Sequence, residues 1–192
     1  WHYVTSGLSQ LYSPEEVKKL PKDEIENMYS AWGHEFVISS KHHEDWPSEI
    51  LFFLVKHFVL DNAPRRFQKG SRIPLGGPIK RNTKSKLDHL VCTFSGDYPA
   101  DVLLPGGHCE MLHVTGVTTA EVNRAKQWGP GPGGSTILTN VLQRYGIGLV
   151  SIPDRDCLTT KPDFNNIWRE TEDELESEWK TNGWTGEGKA NS

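Results

Sequence analysis

Apolar and polar positions change their period several times along the 192-residue chain. After Gly33, Phe36 and Ile38 lie two apart, as do Glu35 and Val37, which is the spacing of a strand. Pro47 then suits the first position of a helix, with Glu49 placed where a carboxylate meets the positive end of the macrodipole. Apolar residues run from 50 to 55 and continue at Phe58, Val59 and Leu60. Such a helix is apolar almost all round, so it is expected to be central and covered on most sides, ending at Asp61 to Pro64. Upstream, Ser13, Pro14 and Glu16 predict a short capped helix that stops at Pro21 and leads into acidic residues as far as Asn27.

From Gly70 to Gly116 the pattern is that of β-structure. Ile73-Pro74-Leu75 reads as an edge or irregular strand, because Pro74 lacks an N–H for the ladder. Residues 87–94 form a second strand candidate. Residues 102–104 and 109–117 flank Pro105-Gly106-Gly107 as a hairpin. Thr118 and Glu121 make a capping box for a helix over 118–128, with Val117 and Val122 as its hydrophobic staple and Gly129 as its stop. A further helix starts at Ser135, carries Ile137, Leu138, Val141, Leu142 and Tyr145 on one face, and ends at Gly146. A last strand over 149–152 is cut by Pro153. Residues 169–180 are acidic and predict a loose helix, with a disordered tail beyond Thr181. Helices and strands interleave without a strict βαβ rhythm, so the expected class is α/β in the broad, α+β sense: a mixed sheet flanked by helices. One domain over 1–168, followed by an acidic C-terminal helix and disordered tail over 169–192, is the simplest division.

Charge and composition narrow the function classes. A net charge of −4 and the absence of long basic runs argue against nucleic acid as partner. No apolar run reaches the roughly 18 residues of a membrane span. The three cysteines, Cys92, Cys109 and Cys157, have no CxxC spacing and read as buried free thiols of a reducing, cytoplasmic protein. The chain starts at Trp1 and not at Met, so a preceding segment is an open expectation.

Three stretches invite a chemical reading. GHEFVISSKHHEDWPSEI holds His34, His42 and His43 among four carboxylates, which raises a metal-dependent hydrolase. The spacing is wrong for it: an HExxH site sets two histidines one helical turn apart, whereas His34 lies in a strand and His42 and His43 are adjacent on a turn. The stretch is better read as a strand-to-helix turn on the surface, free of metal. GPGPGGST, residues 129–136, has the glycine separation of a phosphate loop but carries Ser135 where lysine is needed, follows a helix, and loses two N–H donors to proline. It is expected to be a helix–helix linker. Thiol catalysis by Cys109 beside His108, or by Cys92 near His89, fails because neighbours in a strand face opposite sides. No catalytic residue, metal or cofactor is expected.

The order of separated motifs resembles the Suppressor of Fused domain family. WHYVTSGLSQLY at residues 1–12, Gly-x-Glu-Phe at 33–36, Trp-Pro-x-Glu at 46–49 and HVTGVTTAEVNRAKQWG at 113–129 are similar to family motifs in family order, and the segment before Asp154 and Arg155 is similar to a closing element. The resemblance covers about residues 1–160. It implies a mixed α/β fold and a non-enzymatic, protein-binding role. Animal members sequester Gli-type transcription factors by holding a peptide as an added strand, with a second domain closing over it. At the corresponding peptide positions this chain has His57 in place of tyrosine and Ser71 in place of an acid after Gly70. The short single-domain form is similar to bacterial members inferred to act as immunity proteins against polymorphic toxins. The expectation is therefore a toxin-neutralising binding protein. The alternative is a regulator that captures a linear peptide of a transcription factor or other partner, with His57, Ser71, Asp154 and Arg155 lining or flanking its site.

Overall fold

The computed structural model describes residues 1–9, 29–60, 67–129 and 131–181, together with 15, 18, 19 and 21. The predicted helix at Ser13, the acidic run to Asn27, the helix end at 61–64 and the tail beyond Thr181 lie outside the described residues. Among the described residues, seven strands in a mixed sheet and four α-helices make an α+β fold, as expected. The chain divides into two compact units, Trp1–Gln68 with Phe94–Val114, and Lys69–Thr93 with Thr115–Ser192.

In the first unit, β1 (His2–Val4) pairs antiparallel with β2 (Tyr29–Ser40), which pairs on its other side, parallel, with β6 (Gly107–Val117). β5 (Asp101–Leu104) forms the expected hairpin with β6. Gly107 has φ 119°, a conformation that favours glycine, at the end of its turn. Both alternating sets of β2 are buried, Phe36 and Ile38 on one side and Glu35 and Val37 on the other. Helix α1 (Trp46–Leu54) begins one residue before Pro47 and buries Trp46, Ile50, Leu51 and Leu54. Two features depart from the sequence expectation. The α-helix ends at Leu54 and continues as a π-helical stretch, Val55–Leu60. It is also not covered all round, because Phe52 is 68% exposed.

The second unit holds β7 (Val150–Ser151), which is short, and the antiparallel pair of β3 (Arg72–Pro74) with β4 (His89–Thr93). Helix α2 (Thr119–Lys126) starts on the predicted capping box, with the Thr118 side chain and the Glu121 side chain each satisfying the other's backbone N–H. Helix α3 (Gly133–Arg144) begins two residues before Ser135 and packs on α2, on β4 and on α4 (Phe164–Thr181). Val91, Val117, Val122, Ile137, Leu142 and Trp168 are part of the core these elements share. Of GPGPGGST only the part before Gly133 lies between α2 and α3; Gly133 to Thr136 form the first turn of α3, against the expectation of a linker throughout. A Cβ on Gly134 would fall inside van der Waals contact of the Ala125 carbonyl oxygen, so glycine there lets two helix backbones touch. The acidic stretch 169–180 is helical, as expected, and is packed instead of loose. It continues a helix that starts at Phe164 and buries Phe164, Trp168, Thr171 and Leu175 at helical spacing, while its carboxylates face out.

Candidate functional site

The four residues expected to flank a binding site occupy different environments. His57 lies in the π-helical stretch of the first unit, exposed, its ring 4.9 Å from that of Phe53. Ser71 precedes β3, half-buried, its carbonyl accepting from the Cys92 N–H at 2.9 Å. Asp154 is exposed in the turn after β7. Arg155 is held inward, with its side chain 6% exposed. Its two terminal nitrogens donate to both oxygens of the fully buried Glu121, at 2.6 and 2.7 Å. Glu121 also accepts from the Leu158 N–H at 2.8 Å and the Thr118 N–H at 2.9 Å, while Arg155 reaches the carbonyls of Gly116 and Asp156. This buried bidentate pair ties the end of β6, the start of α2 and the 155–158 segment together.

Other reactive groups are likewise engaged internally. His34 is fully buried in β2, its ring packed edgewise on Phe36 and Phe67, while His42 and His43 are exposed on the turn before α1. Among the described residues no group of three histidines, cysteines or acids is placed to hold a metal ion. All three cysteines are free and buried. Burial pushes the Cys92 thiol up to about 12 and raises Cys109 as well, the reverse of what a nucleophile needs. His108 and Cys109 do part company, since His108 Nδ1 pairs with Asp101 at 2.6 Å. Tyr98 contacts the buried His113 at 2.7 Å, and burial pushes its hydroxyl up to about 12.

The most open chemistry lies at the N-terminal edge of the first unit. Four large apolar residues are exposed among those described; Val4 (51%) lies in β1, Phe52 (68%) in α1, and Trp1 (65%) directly precedes β1. Tyr3 to Ser6 on one side and Ser48, Leu51, Phe52 and Val55 on the other line a groove of about 340 Å³. The spacing 48, 52, 55 is one face of a helix. The strand side of the groove is braced twice. Tyr3 Oη donates to the Glu44 carbonyl at 2.8 Å and accepts from the Glu44 N–H at 2.9 Å. Beyond β1 the chain wraps the Glu35 carboxylate, which accepts from Thr5 Oγ1, the Gly7 N–H, the Ser9 N–H and Ser9 Oγ at 2.6 to 3.0 Å. His43 sits against both Trp1 and Tyr3.

Sequence reasoning did not single out this edge. Residues 1–12 served there only as a motif, a three-residue strand carries too little alternation to be seen, and the all-apolar run 50–55 concealed which face stays open. Glu35, buried opposite Val4 to Ser9, was visible only as one more polar residue in a strand.

The family model for Suppressor of fused protein (SUFU) matches residues 1–156. Human and mouse Suppressor of fused homolog are each 28% identical over 135 residues, which is 67% of this chain and 26% of theirs, so the chain spans about a quarter of the length of the curated relatives it matches. Among solved structures, Drosophila Suppressor of Fused aligns with a TM-score of 0.65 at 22% identity over 94% of this chain and 42% of that one. The Sufu–Fu complex gives a TM-score of 0.64 at 23% identity over 89% of this chain and 72% of that chain. A SUFU homologue from Neisseria gonorrhoeae gives 0.53 at 18% over 82% and 69%.

Proposed function

The chain belongs to the Suppressor of fused family, and from that premise we propose that it is a non-catalytic protein-binding module that neutralises a cognate toxin by direct occlusion. The observation that carries the binding half of this reading is the N-terminal edge. Val4 and Phe52, both exposed, line one groove, and an exposed apolar surface of this kind is commonly an interaction site. Support comes also from the engaged reactive groups: Arg155, Glu121, Glu35 and the thiols are spent on internal bonds and burial. The relative in the Sufu–Fu complex is itself bound to a protein. Toxin neutralisation and a cytoplasmic location are carried over from the resemblance to bacterial members of the family; the Neisseria gonorrhoeae homologue supports the shared fold alone. A net charge of −4 favours a basic toxin, such as a nuclease, because complementary charge speeds encounter.

Co-expression with toxin domains encoded beside the chain tests this. Growth restored by at least one of them, with a complex that co-purifies, is the expected result. No rescue and no complex with any of them removes the toxin reading.

The second reading is regulation through capture of a linear peptide, with Ser71 and Asp154 flanking it in the second unit, Arg155 acting through Glu121, and His57 a separate candidate in the first unit. What favours it is that β3 pairs only with β4 among the described strands, leaving an outer edge next to Ser71.

A further inference from the structure

We propose that the outer edge of β1 and the groove beside it receive an extended segment of the protein partner as an added strand, with an apolar side chain seated against Phe52 and a lysine or arginine meeting Asp45. This rests on the protein-binding reading above and gives that binding a place and a chemistry.

The register fixes which backbone groups are on offer. Thr5 N–H bonds the Phe36 carbonyl and Ser40 N–H bonds the Trp1 carbonyl, both at 2.9 Å. In an antiparallel pair such bonded positions alternate, so Trp1, Tyr3 and Thr5 face β2 while the N–H and C=O of His2 and Val4 point away from it. Among the described strands nothing pairs with that side. The other uncovered edge is a poorer template. In β3 the Cys92–Ser71 bond sets Arg72 and Pro74 facing outward; Pro74 has no N–H, and the Arg72 side chain is tied to Ser135 and to the Gly131 carbonyl.

The groove supplies what backbone pairing cannot, namely selectivity. At about 340 Å³ it lies near the low end of small-molecule pockets, about 300–1,000 Å³, and suits one or two side chains better than a cofactor. Its charge differs by end, with the exposed Lys56 beside Val55 at one and carboxylates at the other. Asp45 precedes Ser48, Phe52 and Val55 on the same helical face, and Glu49 lies one position from Ser48. Both are exposed, and neither has an ion pair among the described residues. Tyr3 is fastened at Glu44, so the acidic end of the groove is the end nearest Tyr3. The bonds at Tyr3 and Glu35 hold the strand in place before any partner arrives, which lowers the ordering cost of binding.

The test is a random twelve-residue peptide library displayed on phage and selected against the full chain. Enriched peptides should alternate apolar residues and carry a lysine or arginine, and synthetic copies should shift the amide resonances of His2, Val4 and Phe52. Methylating alternate amide nitrogens of the peptide leaves the protein untouched and should weaken binding at least tenfold. Val4→Pro removes an outward donor without removing a β1–β2 bond, and Phe52→Glu alters an exposed side chain. Each should weaken binding at least tenfold with the melting temperature unchanged, and Asp45→Lys about fivefold or more. Peptides that bind along Arg72–Pro74, or that bind the two variants equally well, overturn this site while leaving the protein-binding reading standing. Enrichment of no peptide overturns the site too, whereas the reading itself falls only with the co-expression experiment.

Discussion

Replacing Arg155 by methionine should destabilise the protein by about 3–5 kcal/mol, the range for breaking one side of a buried ion pair. The estimate follows from the environment. Glu121 is fully buried and receives four hydrogen bonds, two of them from Arg155. Methionine roughly fills the aliphatic volume but leaves a carboxylate in the interior with two backbone donors and no countercharge. Since globular proteins are stable by only about 5–15 kcal/mol, the loss is a large share of the total. At about 2–4 °C per kcal/mol for a chain of this size, melting should fall by roughly 6–20 °C. Urea titration followed by tryptophan fluorescence reads the change, because Trp128 and Trp168 lie in the core beside this pair's helix. The double variant Glu121→Gln with Arg155→Met should cost less than the sum of the two single variants, since no unpaired charge is left. A loss below about 1 kcal/mol for Arg155→Met would mean the pair behaves as a solvated surface bridge, and the structural role given to Arg155 would be wrong.

The remaining expectations are smaller. Glu35→Ala removes four acceptor contacts, at about 1.5–3 kcal/mol for a charged acceptor, so exchange of the Gly7 and Ser9 amides should accelerate roughly tenfold or more by mass spectrometry; unchanged exchange would mean the carboxylate does not hold this segment. Thr118→Ala should cost about 0.5–2 kcal/mol in urea titration through loss of the α2 cap. Burial raises Asp88, but hydrogen bonds from Thr119 and His89 outweigh it and hold the carboxyl below its ordinary value. Its stabilising contribution is therefore present above about pH 4 and is lost as pH falls through the folded-state value, so Asp88→Asn should destabilise at pH 7 and be neutral near pH 2. Cys92, pushed up to about 12, should resist iodoacetamide at pH 8 in the folded protein and react once unfolded in urea.

Local chemistry made part of this fold legible from residues alone. The capping box at Thr118 and Glu121, the hairpin at Pro105 to Gly107 and the edge character of Pro74 each follow from what one or two residues can do, and each stands where expected. What local pattern could not supply was decided by partners distant in sequence. The start of α4 at Phe164 depends on a face that packs into the core of α2 and α3, and its string of acids hid that face. The open side of α1 was invisible because residues 50–55 are apolar in every direction, so only the placement of β1 tells which side remains uncovered. Arg155 was singled out by resemblance, yet its burial against Glu121 needs the tertiary contact between residues 34 apart in sequence.

The central claim is that the chain acts by occupying its partner and does no chemistry on it. Titrating the activity of a rescued toxin against increasing amounts of the chain tests that most directly. Occlusion predicts a linear fall that reaches zero at one chain per toxin, with the toxin's mass unchanged. Complete loss of activity at far less than one equivalent, with a changed toxin mass, would contradict it.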